Sequence, residues 1–142
     1  MLRYKFIIRG RPRPKKNNQI ATKQRFIIQN KEYREYEKDA IRQVKGQYLE
    51  RPIQNRVFVA IKYYLADGRE ADLPNMDNAI CDILERAGVV KNDKQVIACY
   101  SKKVAINRRN PRAEVIVIPD QADLYEAGDE YEEKNNRRIL VS

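Results

Sequence analysis

From Arg56 to Leu65 the side chains alternate, and this stretch limits the fold more than any other. Val57, Val59, Ile61, Tyr63 and Leu65 fall on one side of an extended chain, with Phe58, Ala60, Lys62 and Tyr64 on the other. A period of two over this length marks a strand with one buried face. Such a strand needs neighbours. Residues 2–9 alternate loosely, and Val96–Ile106 and Ala113–Ile118 also read as strands. Two stretches between them have helical spacing. After an N-cap signal at Asn30, Tyr33, Tyr36, Ala40, Ile41, Val44 and Tyr48 recur at steps of three and four. Met76, Ala79, Ile80, Ile83, Leu84 and Ala87 form the apolar face of a second helix from about Asn75 to Ala87, with Gly88 as its stop. The order β, basic loop, α, β, α, β, β predicts an α/β (α+β) fold. It is a single small domain with one mixed β-sheet and two helices on one face. Arg25–Ile28 reads as a short extended piece. Arg108–Pro111 reads as a hairpin loop carrying two exposed cations. Tyr63 and Tyr64 are consecutive, so one must face away from the core; the ordinary role of such a Tyr is to cover a sheet face with its hydroxyl in water.

Charge divides the chain. There are 142 residues, with 29 Lys and Arg, 20 Asp and Glu, no His, and a net charge of +9. Residues 1–119 carry 26 of the cations and 13 of the carboxylates, whereas residues 120–142 carry 3 and 7. The expected organisation is a basic domain, 1–119, and an acidic C-terminal tail, 120–142. The tail reads as a solvated appendage, with an intramolecular DNA mimic as the alternative. A domain this basic suits a polyanionic partner, nucleic acid above all, because each phosphate it neutralises releases counterions. The loop Gly10-Arg11-Pro12-Arg13-Pro14-Lys15-Lys16 is kept extended by its two prolines. Arg11, Arg13, Lys15 and Lys16 could then follow a phosphate backbone without burying anything.

The same composition excludes much chemistry. No apolar run approaches the roughly 20 residues of a membrane span, and the N-terminus lacks the apolar region of a secretory signal. The expectation is a cytoplasmic protein with no membrane partner. Without His there is no imidazole acid–base catalysis and no His-ligated metal. Cys81 and Cys99 alone cannot form a Cys-rich zinc site or a disulfide framework. Catalysis must rest on carboxylates, lysines, hydroxyls or a metal held by oxygen.

Carboxylates cluster between residues 67 and 96. Asp72 follows the confident strand and precedes the second helix; Asp93 lies between that helix and the next strand. In a strand–helix–strand unit, a strand end, a helix N-terminus and a neighbouring loop can converge. Two or three carboxylates gathered there would bind Mg²⁺, which activates water and neutralises phosphate charge. Each also has an ordinary role: Asp72 as N-cap, Asp77 in the helix dipole, Asp93 in a turn.

The segment Asp72-Leu73-Pro74-Asn75, Asp82-Ile83-Leu84, Ala87-Gly88-Val89-Val90, Asn92-Asp93 and Gln95-Val96 resembles the signature of the RusA family of Holliday-junction resolvases. That signature reads roughly D-x-D-N-x-x-K-x-x-x-D-x-L, then a Gly and D-D-x-Q-V. The basic loop Gly10–Asn17, Tyr33-Arg34 and Lys103 resemble further landmarks, so the resemblance spans about residues 4–118. It implies a small α/β homodimer that cuts DNA four-way junctions with Mg²⁺, or Mn²⁺ in its place, and no small-molecule cofactor. It also implies a bacterial cell, with phage or prophage genes as a frequent source. Carried over by position, Asp72 and Asp93 are catalytic metal ligands, Asn75 is the motif Asn and Asp82 the helix Asp. The second Asp of D-x-D falls at Pro74 and the helix Lys at Asn78. Asp77 in the same first turn could supply the missing ligand, with Asp82 as its rival. A register placing Met76-Asp77-Asn78 on the L-D-N piece needs a three-residue deletion inside the helix and is rejected. Lys103, or Lys91 or Lys94, could replace the helix Lys, and Arg108 and Arg109 would join the basic loop in holding DNA. The competing readings are a RusA-like junction-binding module that has lost catalysis, as Pro74 and Asn78 would fit, and an RNA-binding protein, which charge alone supports.

Overall fold

A computed structural model of the chain describes residues 2–15, 23–69 and 71–121. These residues form β1 (Tyr4–Arg9), α1 (Lys23–Gln47), β2 (Val57–Leu65), α2 (Leu73–Arg86), β3 (Val96–Ile106) and β4 (Arg112–Pro119), with a 3₁₀ turn at Asp93–Gln95 before β3. The strands make one sheet in the order β1-β4-β2-β3. β4 runs antiparallel to β1 and β2, and β2 runs parallel to β3. The sheet is mixed, and the predicted class and element order hold.

Alternation in β2 becomes one-sided burial. Val57, Val59, Ile61 and Tyr63 are buried, while Phe58 and Lys62 are exposed. The register puts Val59 beside Val117 and Ile61 beside Val115, with Val115 beside Phe6 of β1. Ala40 and Val44 of α1, and Met76, Ile80, Ile83 and Leu84 of α2, close this face into one apolar core. Burying each of the larger side chains contributes roughly 1.5–3 kcal/mol. Packing, rather than helix propensity, therefore holds both helices to one face.

The ends of α2 fix where it lies. Asp72 is the N-cap, and Pro74 sits in the first turn, where its missing N–H would have had no partner in any case. The helix therefore starts at Leu73, slightly before the expected Asn75. Past Ala87, Gly88 adopts φ +81, and the N–H of Val89 donates back to Leu84 O at 2.9 Å. Because β2 and β3 are parallel, α2 must run back antiparallel to both.

Three expectations are corrected. Arg25–Ile28 is helical, since α1 begins at Lys23 and not at Asn30. No Pro or Gly interrupts the chain from Lys23 to Lys45, and a short apolar run reads alike in helix and strand. Arg108–Pro111 does not close a hairpin, because β2 lies between β3 and β4 and the loop passes across its end. Arg108 and Arg109 are exposed there as expected. The basic loop is not free of burial, since Pro12 is buried. Lys16 and the tail from residue 122 lie outside the described residues. Asp120, the first residue of the acidic segment, is tied to the domain: its N–H donates to Arg56 O at 2.7 Å and its carboxylate meets Arg56 at 3.0 Å. No helix among the described residues is long and apolar enough to cross a membrane.

The two sheet edges differ. On β1, Gln47 Oε1 accepts from Ile7 N–H at 2.9 Å and its Nε2 donates to Ile7 O at 2.8 Å. Gln43 repeats the pattern at Arg9, at 2.7 and 2.9 Å. Two side-chain amides thus take the place of a further strand and blunt this edge. Among the described residues nothing equivalent lines the free edge of β3. Replacing Gln47→Leu removes two of these bonds and is expected to lower stability by about 1–3 kcal/mol in urea unfolding, whereas Leu49→Ala, at an exposed site, is expected to change little.

Candidate active site

One stripe of α2 contacts β3 turn by turn. Asp77, Cys81 and Glu85 are spaced one helical turn apart. Ser101 Oγ of β3 donates to Asp77 Oδ2 at 2.6 Å. Cys81 neighbours Cys99, two residues back along β3. Glu85 Oε1 accepts the backbone N–H of Asp93, in the turn before β3, at 3.3 Å. Moving down the helix therefore moves backward along the strand.

Asp77 is held by a hydroxyl at each of its two oxygens. Its Oδ1 accepts from the Tyr63 hydroxyl at 2.7 Å. Tyr63 is fully buried and is the tyrosine of the consecutive pair that faces the core. Burial, then the bond to Asp77, pushes the phenol's pKa up and keeps it a donor. Tyr64 is the tyrosine that faces away, with the Arg112 guanidinium 3.8 Å over its ring. Both oxygens of Asp77 are thus aimed by the protein and each keeps lone pairs for a further ligand. The neighbouring Cys99 thiol, followed by burial and the charges of Asp77 and Asp93, pushes the Cys81 thiol up. The Ser101 bond to Asp77 and the Asp93 N–H bond to Glu85 place both on the β3 side of α2.

Asp72 lies at the far end. Exposed, it accepts the N–H of Asn75 at 3.4 Å as N-cap. From Asp72 to Glu85 the helix covers about 20 Å at 1.5 Å per residue. The sheet gives the same separation: Val96 pairs with Val57 at the start of β2, whereas Asp72 follows its end at Leu65. One chain therefore does not bring Asp72 and Asp93 together, contrary to the sequence expectation. Parallel pairing of β2 with β3 sets the two ends of α2 at opposite ends of the strands. Among the described residues no three His, Cys, Asp or Glu form a group that could hold a metal ion.

The remaining expected residues are placed as follows. Asp82 meets Lys15 Nζ at 3.4 Å and Arg86 Nε at 3.2 Å, and Arg86 continues to Glu37 of α1 at 2.8 Å. Asp82 thereby joins the basic loop, α2 and α1. The N–H of Lys15 donates to Asn75 O at 3.1 Å, and Asn78 is exposed. Each described cation of the loop has a carboxylate: Arg11 meets Asp67 at 2.9 Å and Arg13 meets Glu32 at 3.2 Å. Lys103 is exposed on the same face of β3 as Ser101.

Sequence reasoning missed Tyr63, Ser101 and Glu85. Tyr63 carried a signal, since a phenol on the inner face of a strand needs a partner. Ser101 and Glu85 carried none without the alignment of α2 on β3. The donors at Asp72 and Asp77 are carboxylate oxygens with no imidazole, and Asp77's two oxygens are held in fixed directions. Such a set fits a hard cation like Mg²⁺, which keeps several waters and takes few protein ligands.

Known proteins converge on one family. The family model described as Endodeoxyribonuclease RusA matches residues 9–118. The crossover junction endodeoxyribonuclease RusA of Aquifex aeolicus (strain VF5) is 29% identical over 92 residues, which is 65% of this chain and 73% of that protein.

Removing the Tyr63 hydroxyl tests its hold on Asp77. Tyr63→Phe is expected to cost about 1–3 kcal/mol in urea unfolding, because a part-buried carboxylate oxygen loses its donor. A double-mutant cycle with Asp77→Ala should recover part of that cost.

Proposed function

Because the chain belongs to the RusA endodeoxyribonuclease family, we propose that it resolves four-way (Holliday) DNA junctions using a divalent metal, Mg²⁺ or Mn²⁺ in its place. The observation that carries this reading is Asp77, oriented by Tyr63 and Ser101, with Lys103 exposed two residues beyond Ser101 on the same face of β3, in a strongly basic domain. Asp77 takes the part of the carboxylate that the family pattern has at Pro74. Asp72, at the N-terminal end of the same helix, and Asp93, at its other end, are the ligands the family pattern adds; they do not meet within one copy, so a site holding all three needs the homodimer, and Asn75 and Asn78 support the polar face of the first turns.

When bound, the ion lowers the pKa of water and neutralises charge on the scissile phosphate. The chain's own groups do the rest. Tyr63 and Ser101 keep Asp77 aimed. Lys103 offsets charge on the phosphate in place of the helix lysine absent at Asn78. Asp82 holds Lys15 and the loop to α2, a positioning task in place of metal binding. Arg11, Arg13, Lys15, Lys16, Arg108 and Arg109 hold phosphates without reading bases. The loop cations must first exchange Asp67, Glu32 and Asp82 for phosphates. A two-fold homodimer presents two sites to the two symmetric strands of a junction. The setting is the cytoplasm of a bacterial cell, with a phage or prophage gene as the source.

A synthetic four-way junction tests the reading. Paired symmetric nicks are expected with Mg²⁺, none with EDTA, and about 10²-fold or greater loss in Asp72→Asn and Asp77→Asn. Tight junction binding without nicks in any divalent metal would leave a binding module, and stronger binding to RNA would contradict the junction reading. Removing either Arg108 or Arg109 is expected to reduce the salt slope of junction affinity by about 1.

A further inference from the structure

Both helices pack on the face of the sheet that holds the core, and among the described residues no helix lies on the other face. The register lays that open face out in rows. Ile118, Phe58 and Ala98 stand side by side on β4, β2 and β3. Ile116, Ala60 and Tyr100 form the next row, and Glu114, Lys62 and Lys102 the third. Tyr100 is 78% exposed and Phe58 40%. Both lysines are exposed.

We propose that this open face binds single-stranded DNA, with bases stacked on Tyr100 and Phe58 and phosphates met by Lys62 and Lys102. The choice of DNA over RNA rests on the proposed function; the face itself is separate from the carboxylates read as metal ligands.

The lysines point to an anion. Lys62 lies directly beside Lys102 in the register, and like charges side by side are unfavourable. Glu114 is the neighbour of Lys62 on its other side, but its carboxylate is held by Arg112 at 2.9 Å and faces Lys5 at 3.9 Å. No described carboxylate pairs with Lys62 or Lys102. The basic loop differs, because Arg11, Arg13 and Lys15 each have a carboxylate to give up. A phosphate on the open face displaces no carboxylate and relieves the repulsion between the two ammonium groups.

The rings point to bases. Phe58 and Tyr100 stand at opposite corners of a square of four neighbouring residues, and the other two corners are Ala60 and Ala98. Diagonal neighbours on one face lie about 7–8 Å apart. The alanines are too short to cover either ring, and neither ring pairs with another among the described residues. Exposed ring faces flanked by cations are what successive bases of a single strand stack on. A duplex keeps its bases stacked on one another, so the strand that fits here is unpaired. The lysine row is one same-face step from the square, about 7 Å along the strands, so a strand stacked on the rings can lay its phosphates over Lys62 and Lys102.

Fluorescence anisotropy of a labelled oligothymidylate of about twelve nucleotides tests the face, with the full chain and with EDTA present so that nothing is cut. Tyr100→Ala, at a site open to solvent, should melt like the wild type and bind the strand about tenfold more weakly. Tyr100→Phe keeps the ring and should bind as the wild type does. Lys62→Gln and Lys102→Gln should each reduce the salt slope of binding by about 0.7. Equal affinity in Tyr100→Ala and the wild type would overturn the stacking face, and so would a slope that neither Gln variant changes. Tighter binding of an oligouridylate than of the oligothymidylate would overturn DNA as the occupant. Effects of these variants that emerge only after removal of residues 122–142 would assign the face to that segment and overturn the proposal for the full chain. Binding carried by these residues in a chain that cuts no junction would leave the face standing and remove the junction reading.

Discussion

The antiparallel lie of α2 across β3 is the constraint from which the site follows. It is imposed from below by the parallel pairing of β2 and β3, which forces the connecting helix to run back along the strands. It is fixed from within by Met76, Ile80, Ile83 and Leu84 packed on the core face. Given that placement, Asp77, Cys81 and Glu85 must address β3 and its lead-in one turn at a time. The Asp77–Ser101 bond holds one end of this stripe and the bond from Asp93 to Glu85 the other. Between them the helix acts as a ruler. It orients Asp77 and, by its length, keeps Asp72 and Asp93 apart.

Electrostatics sets a second condition. The domain is basic, yet the described cations of its proline-rich loop are matched by Asp67, Glu32 and Asp82. These pairs are partly exposed, and such pairs contribute little to stability. Their effect is to pre-form the loop: Lys15 is fixed to α2 both through its ammonium and through its backbone N–H to Asn75. A phosphate backbone can then displace the carboxylates without reorganising the chain. The Asp82–Arg86–Glu37 bridge ties this arrangement to α1.

Much of the fold was legible because its signals are periodic. The β2 alternation, the apolar face of α2 and the Gly88 stop each follow from local spacing and became the buried face, the packed face and the helix end. The start of α1 was not legible, because Phe26-Ile27-Ile28 has no feature that separates a strand from a helix. The hairpin between β3 and β4 failed for a different reason: adjacency in sequence does not reveal that β2 inserts between them. The carboxylates show the same division. Asp72 as N-cap could be read from its place before Pro74. That Asp72 and Asp93 stand at opposite ends of α2 required the parallel register, and so did the partners of Asp77. Tyr63 was visible as an inner-face tyrosine, but its partner lies on another element.

Mn²⁺ binding to the full chain tests the account of Asp77 most directly, because it reads the ion apart from any cutting of DNA. Followed through the electron paramagnetic resonance of free Mn²⁺, binding should weaken about tenfold or more in Asp77→Asn, and by a smaller factor in Ser101→Ala, which removes one of the two donors that aim the carboxylate. Affinity that is the same in Asp77→Asn as in the wild type would contradict a metal site built on this carboxylate.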